Sequence, residues 1–158
     1  MKIFLDIDGV MVHANPHRPV ALEEDGFYKF NPLAVEVLNS MIDEIEDELI
    51  LSTSHRFRFD IPQWKAIFLS RGITINKLSI LNLPLEYKSN RKTEILNWLN
   101  ESKLSPEEIV IIDDDKSLNE LPPHLKQRLV LTDPYIGLNS NSDLSRILNR
   151  TPKEGSSN

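Results

Sequence analysis

The chain has 158 residues, 40% of them hydrophobic and 27% charged, with a formal net charge of −6 and no cysteine. That is enough for one complete hydrophobic core and short for two. The composition rules out disulfides and thiolate metal sites, and argues against a broad nucleic-acid footprint while leaving room for a local basic mouth. With no run of about 18 apolar residues no membrane span is expected. Acids at positions 6 and 8 break the order of a secretory signal, and a reducing, cytoplasmic setting is the expectation.

The opening stretch Lys2-Ile3-Phe4-Leu5-Asp6-Ile7-Asp8-Gly9-Val10 is an apolar run broken by two carboxylates. It reads as a buried central strand with Asp6 at or near its end and Asp8 just beyond, and Gly9 lets the chain turn sharply there. Buried carboxylates are costly unless a cation or several donors compensate them. Two of them where a strand opens into a loop therefore predict a bound metal, a reacting group, or both. Residues 11–30, with His13, His17, Arg18 and Glu23-Glu24-Asp25-Gly26, read as a loop or small flap without a domain-sized insertion. Asn31 and Pro32 cap and start a helix whose inward face is Leu33, Val37, Leu38, Met41, Ile42 and Ile45. The acidic cluster at 43–48 reads as a solvated helix face and loop.

A second strand is expected over residues 48–53, gathering Ser52 and Thr53 at its C-terminal end. Asp60 and Pro62 start a helix that buries Trp64, Ile67 and Phe68 and closes near Gly72. A short strand near 78–81 and a loop around Pro84 follow. Residues 93–103 read as a helix with Ile95, Leu96 and Leu99 inward, and Trp64 and Trp98 are packing residues. Ser105-Pro106-Glu107-Glu108 has capping-box spacing and forms a single turn before the strand at 109–112, which ends in Asp113-Asp114-Asp115. Residues 129–132 form a weaker strand, and a last helix spans about 143–149. The expected architecture is a three-layer α/β domain over residues 1–150 with a mostly parallel sheet, followed by a polar, frayed tail over 151–158.

In such sheets ligands sit beyond the carboxyl ends of the strands, where Asp6, Ser52, Thr53, Asp113 and Asp114 all fall. All-oxygen ligation by Asp6 and Asp113, joined by the Asp8 backbone carbonyl, favours Mg²⁺ over zinc. A cation beside a carboxylate suits phosphoryl transfer, because it absorbs charge that would otherwise repel the attacking acid. Asp6 then serves as nucleophile through an aspartyl-phosphate, and Asp8 protonates the leaving oxygen and later deprotonates water. Thr53 would donate to a phosphoryl oxygen, with Ser52 as its alternative if the strand ends one residue earlier. Lys92 would supply a positive charge, with Lys88 or Arg91 as its alternatives. Gly9, Ser54, His55 and Arg56 flank these groups and are candidate substrate contacts.

Asp6-Ile7-Asp8-Gly9-Val10 resembles the first motif of the haloacid dehalogenase-like hydrolases. The stretch Leu49-Ile50-Leu51-Ser52-Thr53-Ser54 resembles their second, Lys92 their third, and Ile111-Ile112-Asp113-Asp114 their fourth. The pattern from Ser52 to Arg56 is similar to that of the small domains of "Swiss army knife" RNA-repair proteins. The resemblance implies a Rossmann-like fold with Mg²⁺ as cofactor, phosphatase activity, Asp113 as distal metal ligand, and Asp114 ligating through water or orienting the site. The first inter-motif gap holds only a flap, and the second holds a helix and strand the core needs, so the enzyme is expected to lack a cap. The substrate is expected among nucleotides, RNA or DNA ends, sugar phosphates and phosphoproteins. An open mouth lets a large one approach, with Arg56, Arg58, Lys88, Arg91 and Lys92 as a basic entrance, and a partner subunit covering the site would instead select a small metabolite. Two other readings share the same residues: a non-catalytic phosphate- or metal-binding domain, and a phosphoacceptor signalling domain. Asp8 argues against the latter, since a stable phospho-switch needs no acid/base.

Overall fold

The computed structural model describes residues 1–82 and 90–154. Lys88, the loop expected around Pro84 and the end of the polar tail lie outside the described residues. Five parallel strands stand in the order β3-β2-β1-β4-β5, namely β1 (Lys2–Leu5), β2 (Glu48–Leu51), β3 (Lys77–Ile80), β4 (Ile109–Asp113) and β5 (Leu129–Leu131). The apolar run at the start of the chain is thus the central strand, with Leu5 level with Leu51 on one side and Ile112 on the other.

Side chains alternate between the two faces of the sheet. Ile3, Leu5, Leu49, Leu51, Val110 and Ile112 face one core, which α1 (Pro32–Met41), α2 (Ile61–Ser70) and α5 (Ser142–Leu148) cover. Phe4, Ile50 and Ile111 face the other, under α3 (Arg91–Ser102), a 3₁₀ turn at Lys116–Glu120 and α4 (Pro123–Lys126). Helices on both faces of a parallel sheet make the three-layer, Rossmann-like arrangement, with no obvious cap among the described residues. Among the described residues no helix is long and apolar enough to cross a membrane.

Several local expectations change. Helix α1 ends at Met41, one turn earlier than its apolar spacing suggests, which leaves Ile45 62% exposed; Leu33, in its first turn, is 45% exposed, and Ala34 is buried there instead. The acidic cluster after it is only partly solvated. Asp43 accepts the backbone N–H groups of Ile45 and Glu46, and Asp47 is fully buried, held by both terminal guanidinium nitrogens of Arg150 at 2.5 and 2.9 Å. The start of the tail is docked rather than frayed, since the Lys153 backbone N–H donates to Ser40 at 2.8 Å. The 3₁₀ turn at Lys116–Glu120 and α4 had no periodic signal, being too short for one. They bury Leu118, Leu121 and Leu125.

The flap is a short hairpin bridged at Leu22 and Tyr28. It carries Phe27 into an aromatic cluster with Phe30, Phe59 and Trp64. Arg71, past the end of α2, pins it by donating to the Tyr28 carbonyl and pairing with Asp25.

Candidate active site

The alternation that sends Phe4, Ile50 and Ile111 toward α3 continues to Asp6 and Ser52, each one residue past its strand, and to Asp113, the last residue of β4. The ladder also continues, through Asp6 N–H to the Ile112 carbonyl, Ser52 N–H to Leu5 and Thr132 N–H to Asp113, at 3.0, 3.0 and 2.9 Å. Three adjacent strands thereby deliver polar groups to one spot, and the first turn of α3 brings Arg91 to it.

Asp6, Asp113 and Asp114 each offer an oxygen within 4.8 Å of the others, with Asp6 and Asp113 buried. Arg91 Nη1 donates to Asp113 at 3.0 Å and lies 3.7 Å from Asp6 Oδ1, which also accepts the Ile7 backbone N–H. Among the described residues Arg91 alone makes an ion pair with these acids, and one guanidinium does not balance three carboxylates. Burial, then the charge of Asp6, pushes Asp113 well above the ordinary carboxylate range and Asp114 up to about 7, with Arg91 opposing both. Arg91 itself is held more firmly protonated than usual, because Asp113, Asp6 and Glu94 outweigh the effect of its burial. A set of crowded oxygen donors short of positive charge suits a hard divalent cation.

The pH dependence of that fit has a definite sign. Both carboxyls hold their protons more tightly in the folded protein. Their contribution to metal-free stability is therefore complete below the unfolded value of 3.8 and is lost as the pH rises through the folded values, about 7 for Asp114. A divalent cation competes with those protons. It is expected to raise the melting temperature more at about pH 8 than at about pH 5. Thermal melts with and without chelator measure this, and a cation effect independent of pH would contradict the assignment.

Gly9 matters through space as well as through its φ of +79°. A Cβ there would stand 2.0 Å from Asp114 Oδ2 and 2.4 Å from its Cγ. Thr132 Oγ1 donates to the Gly9 carbonyl at 2.6 Å, so the turn cannot drift away from Asp114 without losing that bond. Gly9→Ala is expected to cost about 1–2 kcal/mol of stability and to remove most of the cation-induced gain in melting temperature. Melts of the variant with and without cation check both.

The remaining candidates divide. Thr53 is buried, and its hydroxyl accepts the His55 backbone N–H at 3.2 Å, whereas the buried Ser52 hydroxyl has no hydrogen-bond partner among the described residues. Lys92 pairs with Glu120, its ammonium 3.6 Å from that carboxylate, and among the described residues Arg91 makes the ion pairs with the cluster. Asp8 is paired with His55, Nε2 to Oδ2 at 2.7 Å. Ser54 is exposed.

Arg56 is fully buried, so it does not face a substrate. Its guanidinium donates to the carbonyls of Leu81, Ser52 and Thr53 and pairs with Glu94. Glu94 in turn lies 3.6 Å from Arg91 Nε, one turn along α3. Sequence reasoning missed Glu94. Its i,i+3 spacing from Arg91 was the available signal. The basic entrance is correspondingly reduced. Arg56 and Arg91 face Glu94 and the acids, Lys92 faces Glu120, and Arg58 stays near the mouth beside His55.

A family model described as the HAD domain in Swiss Army Knife RNA repair proteins matches residues 2–142. No curated protein and no solved structure matches the chain. The matched span runs from the first residue of β1 to the first residue of α5 and takes in every strand that delivers a group to the acidic cluster. The chain accordingly belongs to the haloacid dehalogenase superfamily, in the family of HAD domains of Swiss Army Knife RNA repair proteins.

Proposed function

We propose that the protein is a Mg²⁺-dependent phosphomonoesterase that works through an aspartyl-phosphate on Asp6. The observation that carries the reading is the three-acid cluster with Arg91 against it, at the carboxyl end of the central strand. Asp6, Asp113 and Asp114, with the Asp8 backbone carbonyl, would hold the cation. When bound, Mg²⁺ supplies positive charge that screens the phosphate from the acids.

The chain's own groups do the rest. The Ile7 N–H on Oδ1 fixes the rotation of the Asp6 carboxylate. Asp6 attacks phosphorus, and as the bond to the leaving oxygen breaks, Asp8 gives that oxygen its proton. Water then attacks the same phosphorus, the bond to Asp6 breaks, and Asp8 takes back a proton. The Ser52 hydroxyl, which follows the same alternation as Asp6 and Asp113 and has no hydrogen-bond partner among the described residues, suits the role of donor to a phosphoryl oxygen; Thr53, whose hydroxyl accepts from His55 and keeps its own proton to give, is the alternative donor. Arg91 replaces Lys92 as the fixed cation. The family description and the absence of an obvious cap support a nucleotide or a nucleic-acid terminal phosphate as substrate.

The test is release of inorganic phosphate from nucleoside monophosphates and from 3′- and 5′-phosphorylated oligonucleotides. Release is expected with Mg²⁺, and neither after chelation nor from Asp6→Asn. Equal release in all three conditions sinks the mechanism, and no release in any of them leaves a metal- or phosphate-binding domain as the better reading.

A further inference from the structure

Asp8 lies beyond the end of β1, where no strand ladder fixes its side chain, which is 37% exposed. His55 holds it instead. The ring nitrogen Nε2 is 2.7 Å from Asp8 Oδ2, and Arg58 Nη1 is 3.3 Å from Nδ1. A guanidinium has only donors, so Nδ1 accepts and the ring proton sits on Nε2, which donates to the carboxylate. The ring packs against two adjacent flap residues, Phe27 and Tyr28, with ring planes near perpendicular and centroids 5.7 and 5.4 Å away. Phe27 is in turn wedged against Phe59 and Trp64, at 5.6 and 5.2 Å, so the clamp is continuous with the core under α2.

We propose that His55 is a positioning residue for Asp8. Its Nε2–H anchors Oδ2, so that Oδ1, which takes no hydrogen bond from any described residue, is presented to the leaving oxygen. The inference rests on the phosphohydrolase reading and adds to it which oxygen reacts and what aims it. The proton on Oδ1 passes to the leaving oxygen as the phosphorus–oxygen bond breaks, and a proton from water returns to Oδ1 as the bond to Asp6 breaks. His55 keeps its own proton through both steps, so it orients the acid and does not relay.

The experiment compares His55→Phe, which keeps an aromatic ring against Phe27 and Tyr28 but has no donor, with His55→Gln, which restores an N–H. Two esters are used with Mg²⁺: p-nitrophenyl phosphate, whose leaving group needs little help from an acid, and a simple alkyl phosphate, whose leaving group needs it. His55→Phe is expected to lower kcat about 10- to 100-fold on the alkyl ester and no more than about threefold on the nitrophenyl ester, with KM little changed. His55→Gln is expected to recover part of the loss. Added to Asp8→Asn, His55→Phe is expected to lower kcat no further.

Equal losses on both esters, or losses that add in the double variant, make His55 merely structural and overturn the proposal, as does unchanged kcat. A wild type inert toward both esters moves the comparison to the phosphorylated nucleotides and oligonucleotides, and inertness there as well sinks the phosphohydrolase reading itself. The pairing is then decided by the imidazole ¹⁵N spectrum, in which Asp8→Asn is expected to shift the His55 Nε2 resonance. A resonance that does not move overturns the pairing.

Discussion

Asp6→Asn is expected to lower phosphate release at least about a thousandfold while making the metal-free protein harder to unfold. The two effects have one cause. Asp6 is the largest charge acting on both Asp113 and Asp114, so it is what keeps the cluster electrostatically unbalanced. An asparagine removes the nucleophile and relieves that repulsion together. The gain is of the order of 1 kcal/mol at about pH 8, measured by thermal or denaturant unfolding after chelation. Added Mg²⁺ should then stabilise the variant less than the wild type, because one oxygen donor has lost its charge. A variant that is both inactive and less stable without metal would mean that Asp6 mainly holds the fold together, contrary to the reading offered above.

Arg91→Ala and Lys92→Ala are neighbouring substitutions with opposite expectations. Arg91 is 10% exposed in its side chain and lies against Asp113 and Asp6, so its removal strips the acids of the guanidinium they pair with. A loss of about 3 kcal/mol of metal-free stability is expected near neutral pH, partly recovered by Mg²⁺. Phosphate release should fall at least about tenfold. Lys92 pairs at 3.6 Å with a Glu120 side chain that is 72% exposed, so Lys92→Ala should change stability by less than about 0.5 kcal/mol and leave turnover near wild type. Chemical denaturation and a phosphate assay on the pair decide between them. If Lys92→Ala is the damaging variant, the cation of the site has been misplaced.

The strands and their order of chemistry were legible because hydrophobic runs ending in polar residues are local patterns. The run from Ile3 to Asp6, the run from Leu49 to Ser52 and the run from Ile109 to Asp113 each announce a buried strand that opens on a functional group. They proved to be neighbours in one sheet. The choice among adjacent candidates was not legible. Ser52 and Thr53, or Arg91 and Lys92, differ by one position, and one position reverses the face in a strand and turns a helical side chain by about 100°. Arg56 shows the same limit differently. Its sequence neighbours suggest a substrate contact, yet its guanidinium is fully buried against Glu94 and three carbonyls.

By itself, then, the sequence determined that acids, hydroxyls and cations would gather at the carboxyl edge of a parallel sheet, and that such a gathering suits a hard cation. Periodicity and composition act over a few residues and need no partner to be recognised. Only the tertiary structure decided which guanidinium faces the acids, which hydroxyl has no partner among the described residues, and that His55 faces Asp8 across 47 positions of chain. Those outcomes depend on how separate elements pack. Packing is set by distances and angles between segments that a linear pattern does not contain.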